Sequence, residues 1–78
     1  MVSFKDLDFR YTGYSIESII LFENGYSAFV YFLGFFQGTV VKSYELSINK
    51  DNVEIEFIRG LTRSGVTKVL KKIEKIKV

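Results

Sequence analysis

Residues 44–57, YELSINKDNVEIEF, decide the fold, because apolar and polar residues alternate on both sides of a short polar segment. Apolar residues occupy the even positions before residues 49–52 and the odd positions after them, and this period of two is typical of half-buried β-strands. Residues 49–52 are turn formers. Pairing Ile48 with Val53 predicts a hairpin with one apolar face, whereas a shift of one residue would bury the acids. The predicted face consists of Tyr44, Leu46, Ile48, Val53, Ile55 and Phe57.

The dipeptide Asn24-Gly25 predicts a second hairpin upstream, because both residues accept the positive φ angles of a type I′ turn. The predicted strands cover residues 16–23 and 26–34, with Ile20 opposite Phe29. An alternative stays open: residues 15–23 also fit a helix with Ser15 as its N-cap, since the spacing of their apolar residues does not settle the period.

The C-terminal segment predicts an amphipathic helix over Ser64–Ile76, with Ser64 as its N-cap. Its apolar residues recur on one side at helical spacing: Val66, Val69, Leu70, Ile73 and Ile76. Near the start of the chain, Leu7, Phe9 and Tyr11 alternate with charged residues and predict a first strand. The sequence therefore predicts an α+β fold, in which an antiparallel sheet of four or five strands packs against one C-terminal helix.

The segment Tyr26–Phe36 is apolar on both faces of the strand that it predicts. The predicted faces are Tyr26, Ala28, Val30, Phe32 and Phe36 on one side, and Phe29, Tyr31, Leu33 and Phe35 on the other. One helix covers one face, so the second face requires closure into a small SH3-like barrel or a second subunit. A membrane span is the weaker interpretation of the uncharged residues 24–41, because they are strand formers interrupted by polar residues. We therefore expect a homodimer that buries aromatic residues of this segment.

A chain of 78 residues corresponds to one small domain, so residues 1–78 are predicted to form a single domain. Hydrophobic residues make up 47% of the chain, which excludes intrinsic disorder. The absence of cysteine and histidine excludes disulfides and thiolate metal sites, and removes the commonest general base. Glu54 and Glu56, which the strand period puts on one face, indicate a solvated surface more than a metal site. We expect a non-enzymatic protein without cofactor or metal and, since no secretory signal is visible, a cytoplasmic one.

Charge is distributed unevenly along the chain. Seven of the 11 basic residues, but one of the 9 acidic residues, lie in residues 59–78. This asymmetry favours nucleic acid or another anionic surface as a partner, although the basic end would also complement the acidic remainder of the chain. On a helical wheel, the lysines at positions 68, 71, 72 and 75 lie opposite the apolar stripe. Two interpretations stay open: contact with a polyanion, and a solvated face whose last lysines favour the helix dipole.

Residues 60–67, GLTRSGVT, stand between a predicted strand and a predicted helix, where a phosphate-binding loop would stand. Val66 occupies the position at which such a loop requires lysine, so nucleotide hydrolysis is excluded. A helix start with basic and hydroxyl side chains still fits a bound phosphate, while an ordinary capped turn is the simpler interpretation. The predicted nucleic-acid-binding residues are Arg59, Arg63, Ser64, Lys68, Lys71, Lys72 and Lys75.

Five strands followed by a helix resemble the layout of the small crenarchaeal chromatin proteins, whose SH3-like barrel binds duplex DNA. The similar pieces are residues 9–13, FRYTG, and residues 59–62, RGLT, which lead into Lys68–Lys75. The layout is also similar to that of whirly-type single-strand binders, in which the helix helps dimerisation. The strands here lack the dense lysine and arginine of chromatin proteins, so no family residue is carried over.

The expected function is that of a small non-enzymatic nucleic-acid-binding protein, which contacts phosphates through its basic C-terminal helix. The alternative is a small protein-interaction module, such as an inhibitor, an adaptor or a virus- or plasmid-type accessory protein. It would act through apolar sheet surface, as a homodimer or with a partner.

Overall fold

The computed structural model describes residues 2–36 and 39–77 and, for residues 35, 36 and 39–42, the backbone alone. Within these residues, a 3₁₀ turn, Phe4–Asp6, precedes five strands and one helix. These elements are β1 (Arg10–Tyr11), β2 (Ile16–Leu21), β3 (Tyr26–Phe36), β4 (Thr39–Lys50), β5 (Val53–Leu61) and α1 (Arg63–Glu74). No helix in the described ranges has the length and apolar character needed to cross a membrane.

The strands form one antiparallel sheet in the order β1-β2-β3-β4-β5, and α1 packs on one face of it. The predicted α+β fold is confirmed. The sheet is open, because β1 and β5 lie at its two edges, so the SH3-like barrel considered from the sequence is not formed. We call the face under α1 the inner face and the opposite one the outer face.

The core lies between the inner face and α1. Its sheet residues are Ala28, Val30, Tyr44, Leu46 and Ile48, and its helix residues are Val66, Leu70 and Ile73. Each large aliphatic side chain buried there contributes about 1.5–3 kcal/mol. The N-terminal segment closes one end of this layer, where Tyr44 packs against Phe4, Phe9 and Phe32 at ring-centroid distances of 5.1, 6.0 and 5.2 Å.

The first hairpin is confirmed as strand pairing, which excludes the helix alternative for residues 15–23, but its predicted register is wrong by one residue. Ile20 pairs with Ala28, not with Phe29. The reason is the turn, in which the N–H of Phe22 donates to the carbonyl of Tyr26 and Gly25 has a φ of 88°. A three-residue loop replaces the expected two-residue type I′ turn. Because a one-residue shift exchanges the faces, Ile19 and Leu21 lie on the outer face.

The second hairpin also forms, with a different register from the predicted one. Its turn is shorter: Asp51 and Asn52 both have positive φ, and Lys50 pairs with Val53. The ladder then shifts between the pairs Asn49–Glu54 and Ile48–Glu56, so Ile55 is an extra, bulged residue.

Because of the bulge, the predicted apolar face of β5 does not form, and this prediction is wrong. Val53, Ile55 and Phe57 are 62%, 55% and 39% exposed, and they do not join the core. Glu54 and Glu56 pair with neighbouring residues of β4, so they lie on opposite faces of the sheet and not on one face. The other half of the prediction is confirmed, since Leu46 and Ile48 are buried against α1.

Three further predictions need correction or fall outside the structure. β1 contains Arg10 and Tyr11 alone, because the chain before it forms the 3₁₀ turn and packs under α1. α1 begins at Arg63 with Thr62 as its N-cap, two residues before the predicted cap Ser64. The predicted faces of Phe35 and Phe36 lie outside the described side chains.

Candidate nucleic-acid interface

Three lysines of α1 and its C-cap residue, Lys75, lie on the solvent side of the helix. Val66, Leu70 and Ile73 recur at helical spacing and are buried, which fixes the rotation of the helix about its axis. Lys68, Lys71, Lys72 and Lys75, here called the lysine ridge, therefore lie on the opposite side, with Lys71 half-buried and the others exposed. Ser64 lies in line with the ridge, four residues before Lys68.

The lysine ridge carries uncompensated positive charge. The ion pairs of the described residues are Arg10–Asp8 and Arg59–Glu45, and neither involves the ridge. Glu74, the acid of α1, accepts a hydrogen bond from the N–H of Val2 at 3.4 Å, which directs it towards the N-terminal segment. The ridge thus presents an electropositive surface to solvent.

The C-terminal end of α1 is capped by an asparagine. Asn24 Nδ2 donates to the carbonyls of Ile73 and Ile76 at 2.8 and 2.9 Å. This contact ties the β2–β3 turn to the helix and satisfies carbonyls that basic side chains often cover. The structural role left to Lys75 is therefore attraction to the helix dipole.

The start of α1 is an ordinary capped turn. Thr62 Oγ1 accepts from the N–H of Gly65 at 3.1 Å, and the Thr62 carbonyl accepts from the N–H of Val66 at 2.9 Å. Ser64 Oγ lies 3.2 Å from Thr62 Oγ1, within hydrogen-bond distance of the capping side chain. Arg63 points to one flank, where its guanidinium lies 5.5 Å from the centre of the Phe4 ring.

Arg59 is separated from the rest of the predicted site. Its guanidinium lies 5.4 Å from the Phe57 ring and 3.8 Å from the Glu45 carboxylate. Phe57 pairs with Ser47, next to the inward-facing Leu46, so this cluster lies on the outer face. The structure therefore brings together the ridge and Ser64, places Arg63 beside them, and puts Arg59 on the opposite side of the sheet.

The outer face combines apolar and acidic residues. One row of residues crosses the five strands and has an arginine at each end and two glutamates between them. It consists of Arg10, Glu17, Tyr31, Glu45 and Arg59. Burial, followed by the charges of Glu17 and Glu54, raises the pKa of Tyr31. The adjacent row consists of Ile19, Phe29, Ser47 and Phe57. Because acids occupy this face, polyanion contact is favoured on the side of α1.

Concave regions lie beside both ends of α1. A cleft of about 490 Å³ lies beside its start, with Phe9, Phe32, Tyr44 and Arg63 among its walls. A groove of about 990 Å³ lies beside its end. In the described part of the chain, no three metal-ligating side chains converge.

The sequence did not indicate that Asn24 caps the C-terminal end of α1. It also did not indicate that Ile19 and Leu21 are exposed at an edge of the sheet. The Asn-Gly pair marked a turn, but it did not indicate what that turn would contact. Comparisons with models of protein families, with curated proteins and with solved structures find no match to this chain. The function is therefore argued from the site itself.

Proposed function

We propose that this protein binds nucleic acid through the lysine ridge and catalyses no reaction. The observation that carries the proposal is the alignment of three lysines of α1 and its C-cap lysine on the solvent side, with no carboxylate partner among the described residues. A cytoplasmic location is part of the proposal.

The spacing of the ridge fits a phosphate backbone. Lys68 and Lys75 are seven residues apart, which corresponds to about 10 Å along a helix axis. Successive phosphates of one DNA strand advance by roughly 3.4 Å along the duplex axis, so the length of the ridge corresponds to about three such steps. Contacts of this kind supply affinity and position but read no base edges. The expected binding is therefore independent of sequence.

The test measures affinity for labelled duplex and single-stranded DNA across a salt series. Lys68→Gln combined with Lys72→Gln removes two exposed ridge charges. Each lost phosphate contact is expected to lower the log–log salt slope by about 0.9 on duplex and about 0.7 on single strands. Binding to all sequences should weaken alike.

The matched control is Arg10→Gln combined with Arg59→Gln, which removes the same charge from the outer face. Its salt slope is expected to stay close to that of the parent. If affinity and salt slope fall equally in the two double variants, nucleic-acid binding depends on net charge alone and not on the ridge. If the parent does not bind nucleic acid at low salt, the proposal is rejected.

A second candidate function is that of a protein-interaction module acting as a homodimer, with aromatic residues of Tyr26–Phe36 in the interface. The observation that favours it is the open sheet, whose outer face carries Phe29 and Tyr31 and is not covered by α1. This candidate leads if the salt series detects no nucleic-acid binding.

A further inference from the structure

The two edges of the sheet differ in their protection against pairing with another chain. Along β5 the ladder is broken by the bulge at Ile55 and by a second shift near Gly60, whose φ is 71°. Charged Glu54, Glu56 and Arg59 also lie along this edge. Bulges and charges are the devices with which proteins keep sheet edges from associating. The β5 edge is therefore poorly suited to pairing with a strand of another chain.

The part of the opposite edge that β1 leaves uncovered has neither a bulge nor a charge. β1 pairs with Ile16 and Glu17 of β2, and the last hydrogen bond from the N-terminal segment joins the N–H of Asp8 to Ser18 Oγ at 3.1 Å. Beyond Ser18, no described strand pairs with this side of β2. The free stretch Ile19–Leu21 has no charge and pairs with β3 without a bulge.

The backbone groups left free on this edge follow from the first turn. The N–H of Phe22 donates to Tyr26 in β3, and strand alternation then directs Ile20 towards β3 as well. The N–H and C=O groups of Ile19 and Leu21 therefore point away from the sheet. Their side chains are 53% and 81% exposed on the outer face. Unpaired backbone groups beside exposed apolar side chains can pair with a strand of another chain.

We propose that a second copy of this chain pairs antiparallel with this edge, with a two-fold axis at Ile20. This register sets Ile19 opposite Leu21 of the other copy, so the outward backbone groups of both residues are used. A register centred on Ile19 would set Leu21 opposite Glu17, whose edge β1 already occupies. A register centred on Leu21 would set Ile19 opposite Glu23, which belongs to the turn.

The length of the free stretch favours a second copy over a foreign peptide. A long extended peptide would run into β1 at one end of the stretch. The second copy has an equally short stretch, and its turn at residues 23–25 leads the chain back into β3, away from the free edge. A two-fold axis that joins the same surface of two identical chains is the commonest symmetry of soluble oligomers.

The side chains support the same arrangement. On the inner face, Ile20 meets Ile20 of the other copy beside the groove of about 990 Å³, whose walls include Val2, Phe22 and Ile76. The apolar walls of the two grooves then adjoin. Because the two-fold axis is perpendicular to the sheet, both helices stay on one face and both lysine ridges point to the same side. The paired stretch is short, so association is expected at roughly micromolar to millimolar concentrations.

The test is sedimentation equilibrium over that concentration range. The parent mass is expected to approach twice that of one chain, and Ile19→Lys combined with Leu21→Lys is expected to remain monomeric. The matched control, Val53→Lys combined with Ile55→Lys, adds the same charges to exposed positions of the β5 edge and should dimerise like the parent. Circular dichroism checks that each variant is folded.

Amide hydrogen exchange locates the interface independently. The amides of Ile19 and Leu21 are expected to exchange more slowly as concentration rises, whereas those of β5 should not change. A parent that stays monomeric, or a dimer that persists in the β2 variant with unprotected amides at these residues, would reject the proposal. Neither result bears on nucleic-acid binding, which the salt series measures separately.

Discussion

The two faces of β3 show how differently similar apolar sequence is used in this protein. Towards α1, Ala28 and Val30 are completely buried, although they are small. On the outer face, the larger Phe29 and Tyr31 are only half-buried. The difference lies in the cover, because a single helix on an open sheet can enclose one face. Burial in this chain is therefore set by register and by the position of the helix, more than by the hydrophobicity of each residue.

The outer face is shielded in part by its own side chains. The rings of Tyr31 and Phe57 lie 6.4 Å apart, and Arg59 lies over Phe57. Aromatic and cation–π contacts of this kind contribute about 0.5–1.5 kcal/mol each. These contacts stabilise the fold less than burial in an enclosed core does. Truncating a side chain on the outer face should therefore lower the free energy of unfolding much less than truncating one in the core.

The largest expected effect is the truncation of Leu70, which is fully buried between α1 and the sheet. Leu70→Ala removes apolar contacts and leaves a cavity, so the free energy of unfolding should fall by about 2–5 kcal/mol. Urea denaturation at equilibrium measures this loss.

Ile55→Ala is the control at an exposed apolar residue, because Ile55 is 55% exposed at the bulge. Its expected cost is below about 1 kcal/mol. Similar costs for the two variants would mean that Ile55 is enclosed as well, as its alternating sequence pattern first predicted.

The hairpins could be predicted from the sequence because alternation and turn residues are local signals. Their registers could not, because each depends on turn length and on bulges. Asp51 and Asn52 close a tighter turn than residues 49–52 predicted, and the bulge at Ile55 then offsets the rest of β5. Alternation has the same period on either side of a bulge, so it does not reveal the extra residue.

The candidate site was predictable to the extent that it lies on one helix. The lysines share a face through the helical period alone, which needs no knowledge of tertiary structure. Arg59 was grouped with them because it is close in sequence, but it lies on a strand whose faces depend on the register. The free edge at Ile19 and Leu21 was not predictable either, since it follows from the shortness of β1.

A smaller effect on stability is expected at the start of α1, the helix that covers the inner face and leaves the outer face open. Thr62→Ala removes the side-chain acceptor for the N–H of Gly65 and should lower the free energy of unfolding by about 1 kcal/mol. Ser64→Ala, at the position predicted as the cap, should change it by less than about 0.5 kcal/mol. Thermal and urea denaturation compare the two variants, and the reverse ranking would restore Ser64 as the cap.

The smallest expected effect is a pH dependence that arises on the outer face. Burial, then Glu17 and Glu54, raise the pKa of Tyr31 in the folded protein, because its neutral phenol is favoured there. In the unfolded chain, tyrosine ionises near pH ~10, so below that value the contribution of Tyr31 to stability is fully present. As the pH rises further, the unfolded state releases its proton first, and the contribution is lost as the pH passes the folded-state pKa. Tyr31→Phe should remove this component, so its free energy of unfolding should decline less steeply above pH ~10 than that of the parent. Parallel curves for the two proteins in urea denaturation would show that Tyr31 does not contribute to the alkaline decline.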